Sequence, residues 1–109
     1  MIASETKTKL LALLAIGICD GLRENKIEIR DAEVLLFSPR SMRQAKNCDQ
    51  RVVELIHMGT ELDDIKDLVP DEFDPTLDRI KNLAFSCLED LKNGPIADPN
   101  QHPWIDLIS

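Results

Sequence analysis

A chain of 109 residues, 43% hydrophobic and 30% charged, has the size and composition of one globular domain with a core of its own. Its net charge of −7 sets it against phosphate backbones and anionic lipid, so neither nucleic acid nor a membrane is an expected partner. Aromatic residues make up 4%, with no Tyr, which removes the stacking platforms that single-stranded nucleic acid uses and leaves aliphatic side chains to fill the core.

The first helix is expected over about residues 5–23, capped by Ser4 and ended near Asn25. Within it, LLALLAIGIC (residues 10–19) is an apolar run of ten. A membrane span needs about 20 such residues, and a signal peptide would end in a small-residue cleavage site rather than CDGLRENK. The run therefore reads as a central helix, apolar nearly all round and buried, with Leu13 and Leu14 in the core. Gly17 and Gly21 each weaken such a helix by about 1 kcal/mol relative to Ala, which close approach of another helix at that face would offset.

KIEIRDAEVLLFSP follows. Ile27 and Ile29 alternate for too few residues to make a sheet. Ile29 instead suits the hydrophobic contact at the start of a short helix over 31–37, with Ala32, Leu35 and Leu36 inward. Ser38-Pro39 stops it, and RSMRQAKN reads as a basic turn or short helix. Asp49 caps the next helix, with Val52, Val53, Leu55 and Ile56 inward. Gly59 supplies its left-handed end, and Thr60 caps an acidic helix whose buried stripe is Leu62, Ile65, Leu68 and Val69. Asp74-Pro75 opens the last long helix, with Leu77, Ile80, Ala84, Cys87, Leu88 and Leu91 toward the core. Asn93-Gly94-Pro95 ends it. The expected fold is all-α, five or six mostly short helices around a buried N-terminal helix. Residues 1–94 form the domain and 95–109 a proline-containing tail.

The charge is not spread evenly. Residues 1–48 carry eight Lys/Arg against six acids, while residues 49–109 carry five against fourteen. The stretch TELDDIKDLVPDEFD (residues 60–74) alone holds seven carboxylates and one lysine. Calcium loops need alternating oxygen ligands and a glycine at the bend; this stretch has no glycine and is interrupted by a helical apolar stripe. A zinc site from His57, His102 and the cysteines would need distant residues to converge. Paired carboxylates do acid–base work only when burial or repulsion splits their pKa values, and these acids lie on the polar side of an amphipathic pattern. No nucleophile elbow, phosphate loop or Cys–His signature is present. Neither a cofactor, a metal nor catalysis is expected. Cys19, Cys48 and Cys87 are too far apart for a disulfide framework and read as reduced, small apolar residues in a cytoplasmic protein.

Two readings of the acidic stretch remain: a solvated helix face, or a docking face made of Asp63, Asp64, Asp67, Asp71, Glu72 and Asp74. Glu61, Asp63 and Asp64 gain about 0.3–1 kcal/mol each from the helix N-terminus. Asp67 opposes the dipole at the other end and repels Asp63 one turn back, by about 0.2–0.5 kcal/mol. A local rule broken on an exposed face is a hint of function.

LLAIGICDGL, AEVLLFSP and VVELIHMGTELDDI resemble stretches of small acidic bacterial proteins of about this length and of unknown activity, over roughly residues 8–92. A looser resemblance is to bacterial immunity proteins, which are small, acidic and often helical, and which block a toxic partner by binding it. VPDEFDPTLDRIKNLAFSCLEDLKNGP is similar to the acidic turn and following helix of the immunity proteins for nuclease colicins. Val69-Pro70 stands where that family carries paired tyrosines, so no binding residue carries over. The missing catalytic motifs and the acidic stretch point to a cytoplasmic, non-enzymatic domain whose acidic surface binds a basic protein partner, and an immunity-like or antitoxin-like role is the form the looser resemblance implies. The alternative is a homo-oligomer, a homo-dimer in its simplest form, that buries Trp104, Ile105, Leu107 and Ile108 of the tail against a second copy.

Overall fold

The computed structural model describes residues 4–92. Among them are six α-helices and one 3-10 turn: α1 (Ser4–Arg23), α2 (Ile29–Leu35), α3 (Pro39–Gln44), α4 (Gln50–Thr60), α5 (Leu62–Leu68), the turn Pro70–Glu72, and α6 (Phe73–Asp90). The fold is all-α, and no described residue lies in a strand. The Asn93-Gly94-Pro95 stop, the tail 95–109 and His102 lie outside the described residues, and α6 already ends at Asp90. No described helix is long and apolar enough to cross a membrane.

α1, α4 and α6 build the core. α1 contributes Ala12, Ala15, Ile18, Cys19 and Leu22, α4 Val52, Leu55 and Ile56, and α6 Leu77, Ile80, Ala84 and Cys87. The small side chains of α1 and α6 let those two axes approach closely. Arg23 pairs with Asp78 at 2.6 Å and Asp20 with Lys81 at 2.7 Å, so the two helices run antiparallel. Arg51, at the start of α4, bonds Ser86 and Asp90 near the end of α6, both at 2.7 Å, which makes that pair antiparallel as well.

Local chemistry sets most boundaries. Past α1, Asn25 takes φ 57°. The Asn25 N–H then donates to the Leu22 carbonyl and the Lys26 N–H to the Gly21 carbonyl, a left-handed helix end of the Schellman kind. Ile27 folds back over Gly21, with side-chain carbons 3.2–3.8 Å from where a Cβ would lie. The approach at Gly21 is thus by a residue just past the helix, not by another helix, and a Cβ on Gly17 would meet nothing within 4 Å. The Glu28 N–H donates to Asp31 at the start of α2. Ser38 accepts the Ser41 N–H with Pro39 next to it, so Ser38-Pro39 closes α2 and opens α3. Asp49 accepts the Arg51 N–H at 2.9 Å, the expected cap of α4.

Several expectations about burial are corrected. α1 is buried on one side only, and Leu13 and Leu14 are 42% and 37% exposed. Ala32 and Leu36 face inward, whereas Leu35 is exposed and Phe37, past the end of α2, is buried. Leu62 is buried and Ile65 half-buried, but Leu68 and Val69 face solvent. Gly59 is helical, with no positive φ. Thr60 is the last residue of α4 and its hydroxyl donates to the His57 carbonyl. Glu61 is therefore the single joint between α4 and α5.

Candidate functional site

α5 is short because Pro70 lies two residues past its end. Leu62 anchors it to the core, Val69 swings out with φ −142° and ψ 67°, and the chain makes one 3-10 turn before α6. Asp63, Asp64, Asp67, Asp71, Glu72 and Asp74 are all exposed. Of these, Glu72 has a loose ionic neighbour, Arg79 at 3.8 Å. Among the described residues none of the five aspartates forms an ion pair.

The structure divides the six. Asp63, Asp67 and Asp74 line an open groove of about 1010 Å³, together with Lys66. The rest of its lining comes from the end of α1, the α1–α2 connection and the start of α2, where Arg23, Lys26 and Arg30 stand beside Glu28 and Asp31, and Leu22, Ile27 and Phe73 add apolar lining. Asp71 and Asp74 border a smaller hollow of about 460 Å³ with Lys66 and Pro70. Asp64 and Glu72 line neither. The acidic stretch is thus split between residues that line the larger groove and residues that do not. The wall from the end of α1 to the start of α2, with three bases and two acids, was missed in the sequence, although the excess of bases in residues 1–48 was a signal of where cations would lie. Arg23 is the most constrained of the three. Its hydrogen bond to Asp78 raises its pKa, and it also reaches the Asp74 carbonyl at 3.2 Å, which ties the groove wall to the start of α6.

A model of the family described as "Protein of unknown function (DUF3969)" matches residues 3–106. The chain belongs to this family. The match takes in every described helix of this DUF3969 chain and all six acidic residues. No curated protein and no solved structure matches the chain, so any reading of the site rests on its geometry.

On the exposed side of α5, Leu68 and Val69 are 78% and 50% exposed. In the chain Asp64 and Asp67 precede them and Asp71 and Glu72 follow, all four exposed. The other chemistry-bearing residues lie elsewhere. Burial pushes the Cys19 thiol up to about 12 and raises that of Cys87, which makes both poor nucleophiles. His57 is exposed, its Nε2 3.9 Å from a Glu61 oxygen. Among the described residues no three His, Cys, Asp or Glu side chains gather as a metal would require.

Proposed function

We propose that this chain is a cytoplasmic binding domain without catalysis of its own, whose α5 and following turn dock a basic protein partner. An immunity-like or antitoxin-like role, in which this surface covers the basic surface of a toxic protein, is its most specific form. The observation that carries the reading is the exposed pair Leu68 and Val69 set among Asp64, Asp67, Asp71 and Glu72. One exposed leucine on a small domain is ordinary. Two adjacent exposed apolar side chains with carboxylates before and after them in the chain suit the anchor-and-rim arrangement of a docking surface. The short α5, held at Leu62 and released at Pro70, presents them on a fixed edge. The three cysteines are free thiols, in keeping with a reducing compartment.

The test uses the full chain and a partner recovered from native cell extract. Asp64→Asn with Asp71→Asn is expected to slow association and to flatten its salt dependence, because exposed charges chiefly steer encounter. Leu68→Ala with Val69→Ala is expected to speed dissociation instead, as loss of an apolar anchor does. Both variants should keep the wild-type circular dichroism. A native partner whose affinity ignores all four positions would refute the reading.

A further inference from the structure

α1 is apolar on two faces. The core face is buried through Ala12, Ala15, Ile18, Cys19 and Leu22. On the other side Leu10, Leu13, Leu14 and Gly17 keep the i, i+3, i+4, i+7 spacing of a helix-packing stripe. Leu13 and Leu14 are substantially exposed, and the space at Gly17 is open, so two projecting leucines adjoin a hole. A glycine there weakens α1, and no described contact offsets the loss. Phe85, 51% exposed, widens the surface. The Asp20–Lys81 pair fixes the register, and one turn further along each antiparallel helix Gly17 comes level with Phe85.

We infer that this stripe is a face on which a second copy of the chain docks, α1 against α1, antiparallel about a two-fold axis between Leu14 and Gly17. A two-fold contact needs a patch complementary to itself, and the stripe is one. An axis that exchanges positions 14 and 17 lays Leu14 of each copy into the hole at Gly17 of the other. The same axis exchanges 10 with 21, so Leu10 meets Gly21, where Ile27 already covers the glycine. It also exchanges 7 with 24, so Lys7 of one copy meets Glu24 of the other at both ends of the contact. Lys7 donates to the Gln44 carbonyl at 2.8 Å, which leaves two of its three ammonium hydrogens for that carboxylate. A parallel pair would instead stack Lys7 on Lys7, Glu24 on Glu24 and Leu14 on Leu14.

A helix of 20 residues is about 30 Å long, and one helix pair of that length covers less than the roughly 800 Å² per partner of a standard interface. The dimer is therefore in equilibrium with monomer and depends on concentration. The inference is separate from the α5 docking surface, which uses none of these residues.

Sedimentation equilibrium of the full chain, from micromolar to millimolar protein, tests it. The expected result is a rising dimer fraction that Leu14→Ser and Gly17→Leu each weaken by about tenfold or more. The melting temperature of dilute Gly17→Leu, where only monomer is present, should not fall, since the site is open and a helix-favouring residue replaces glycine. A monomer at every concentration overturns the inference, as does a dimer indifferent to both substitutions. A protein that dimerises only after removal of residues 95–109 also overturns it, because its own C-terminal segment would then occupy the face. Orientation is read by mixing Lys7→Cys and Glu24→Cys proteins under oxidation. Mixed disulfides are expected, and like-with-like disulfides alone would refute the antiparallel pair.

Discussion

The ring of Phe37 lies directly over the backbone of Gly59, in the volume that a Cβ on residue 59 would fill. Gly59 is helical and buried, so it is needed for the space it leaves, not for a left-handed conformation. Among the described residues Phe37 is the one aromatic with a fully buried side chain, and it pins the α2–α3 junction against α4.

Gly59→Ala should therefore destabilise, by about 1–3 kcal/mol, because the ring must shift out of a packed site. Phe37→Ala should cost about 3–5 kcal/mol. The double variant should be less destabilised than the sum of the two, since the overlap vanishes with the ring. Urea denaturation of the four proteins gives the coupling. Additive effects would show that the ring does not set the demand for glycine.

Leu13→Ala should cost under about 1 kcal/mol at low protein concentration, as substitutions at partly exposed sites do. Leu55→Ala, fully buried on α4, should cost about 2–5 kcal/mol. Comparable losses at the two positions would mean that α1 is enclosed on both faces.

Acid stability should depend on Asp49. The hydrogen bond from the Arg51 guanidinium holds its carboxyl below the ordinary 3.8, with the Arg51 backbone N–H adding to the effect. A depressed carboxyl contributes stability that is present in full above about pH 4 and lost as pH falls through its folded value. Asp49→Asn should keep part of the cap but lower stability at neutral pH. Its deficit against wild type should shrink in acid below pH 4, as read by thermal melts from pH 7 down to pH 2. A deficit constant over that range would exclude the ionised pair as its source.

The burial of Cys19 makes stability depend on alkaline pH. Burial raises Cys19 from 9.0 to about 12, so the folded state favours the protonated form. That contribution is complete below pH 9 and is lost as pH rises toward 12. Cys48 is the least buried of the three cysteines and should react first with a thiol-specific reagent at pH 8. Cys19 and Cys87 should react only at the rate of unfolding. Rapid labelling of all three in native protein would contradict their burial.

The parts of this fold that were legible in the sequence are those decided within a few residues. Asp49 capping α4, the end of α1 near Asn25 and the stop at Ser38-Pro39 each rest on side-chain or backbone chemistry acting on the adjacent residues. The core stripes of α4 and α6 were legible because an isolated apolar stripe has one face to bury. Where the pattern was apolar on more than one side, as in Leu10 to Cys19, composition gave no means of choosing. Only the positions of α4 and α6 decide that Ala12 and Cys19 face inward while Leu13 and Leu14 do not. Helices of under two turns gave the same ambiguity: Leu35 and Leu36 exchange roles with a rotation of 100° per residue, and Leu68 and Val69 fall where the chain is already turning at Pro70. The acidic residues were plain from the sequence, and their exposure followed from their pattern. That Asp63 and Asp67 share a groove with Lys26 and Arg30, while Asp64, Asp71 and Glu72 line no part of it, depends on where α1 ends relative to α5, because charge is a property of residues whereas its neighbours are set by the packing of helices distant in the chain.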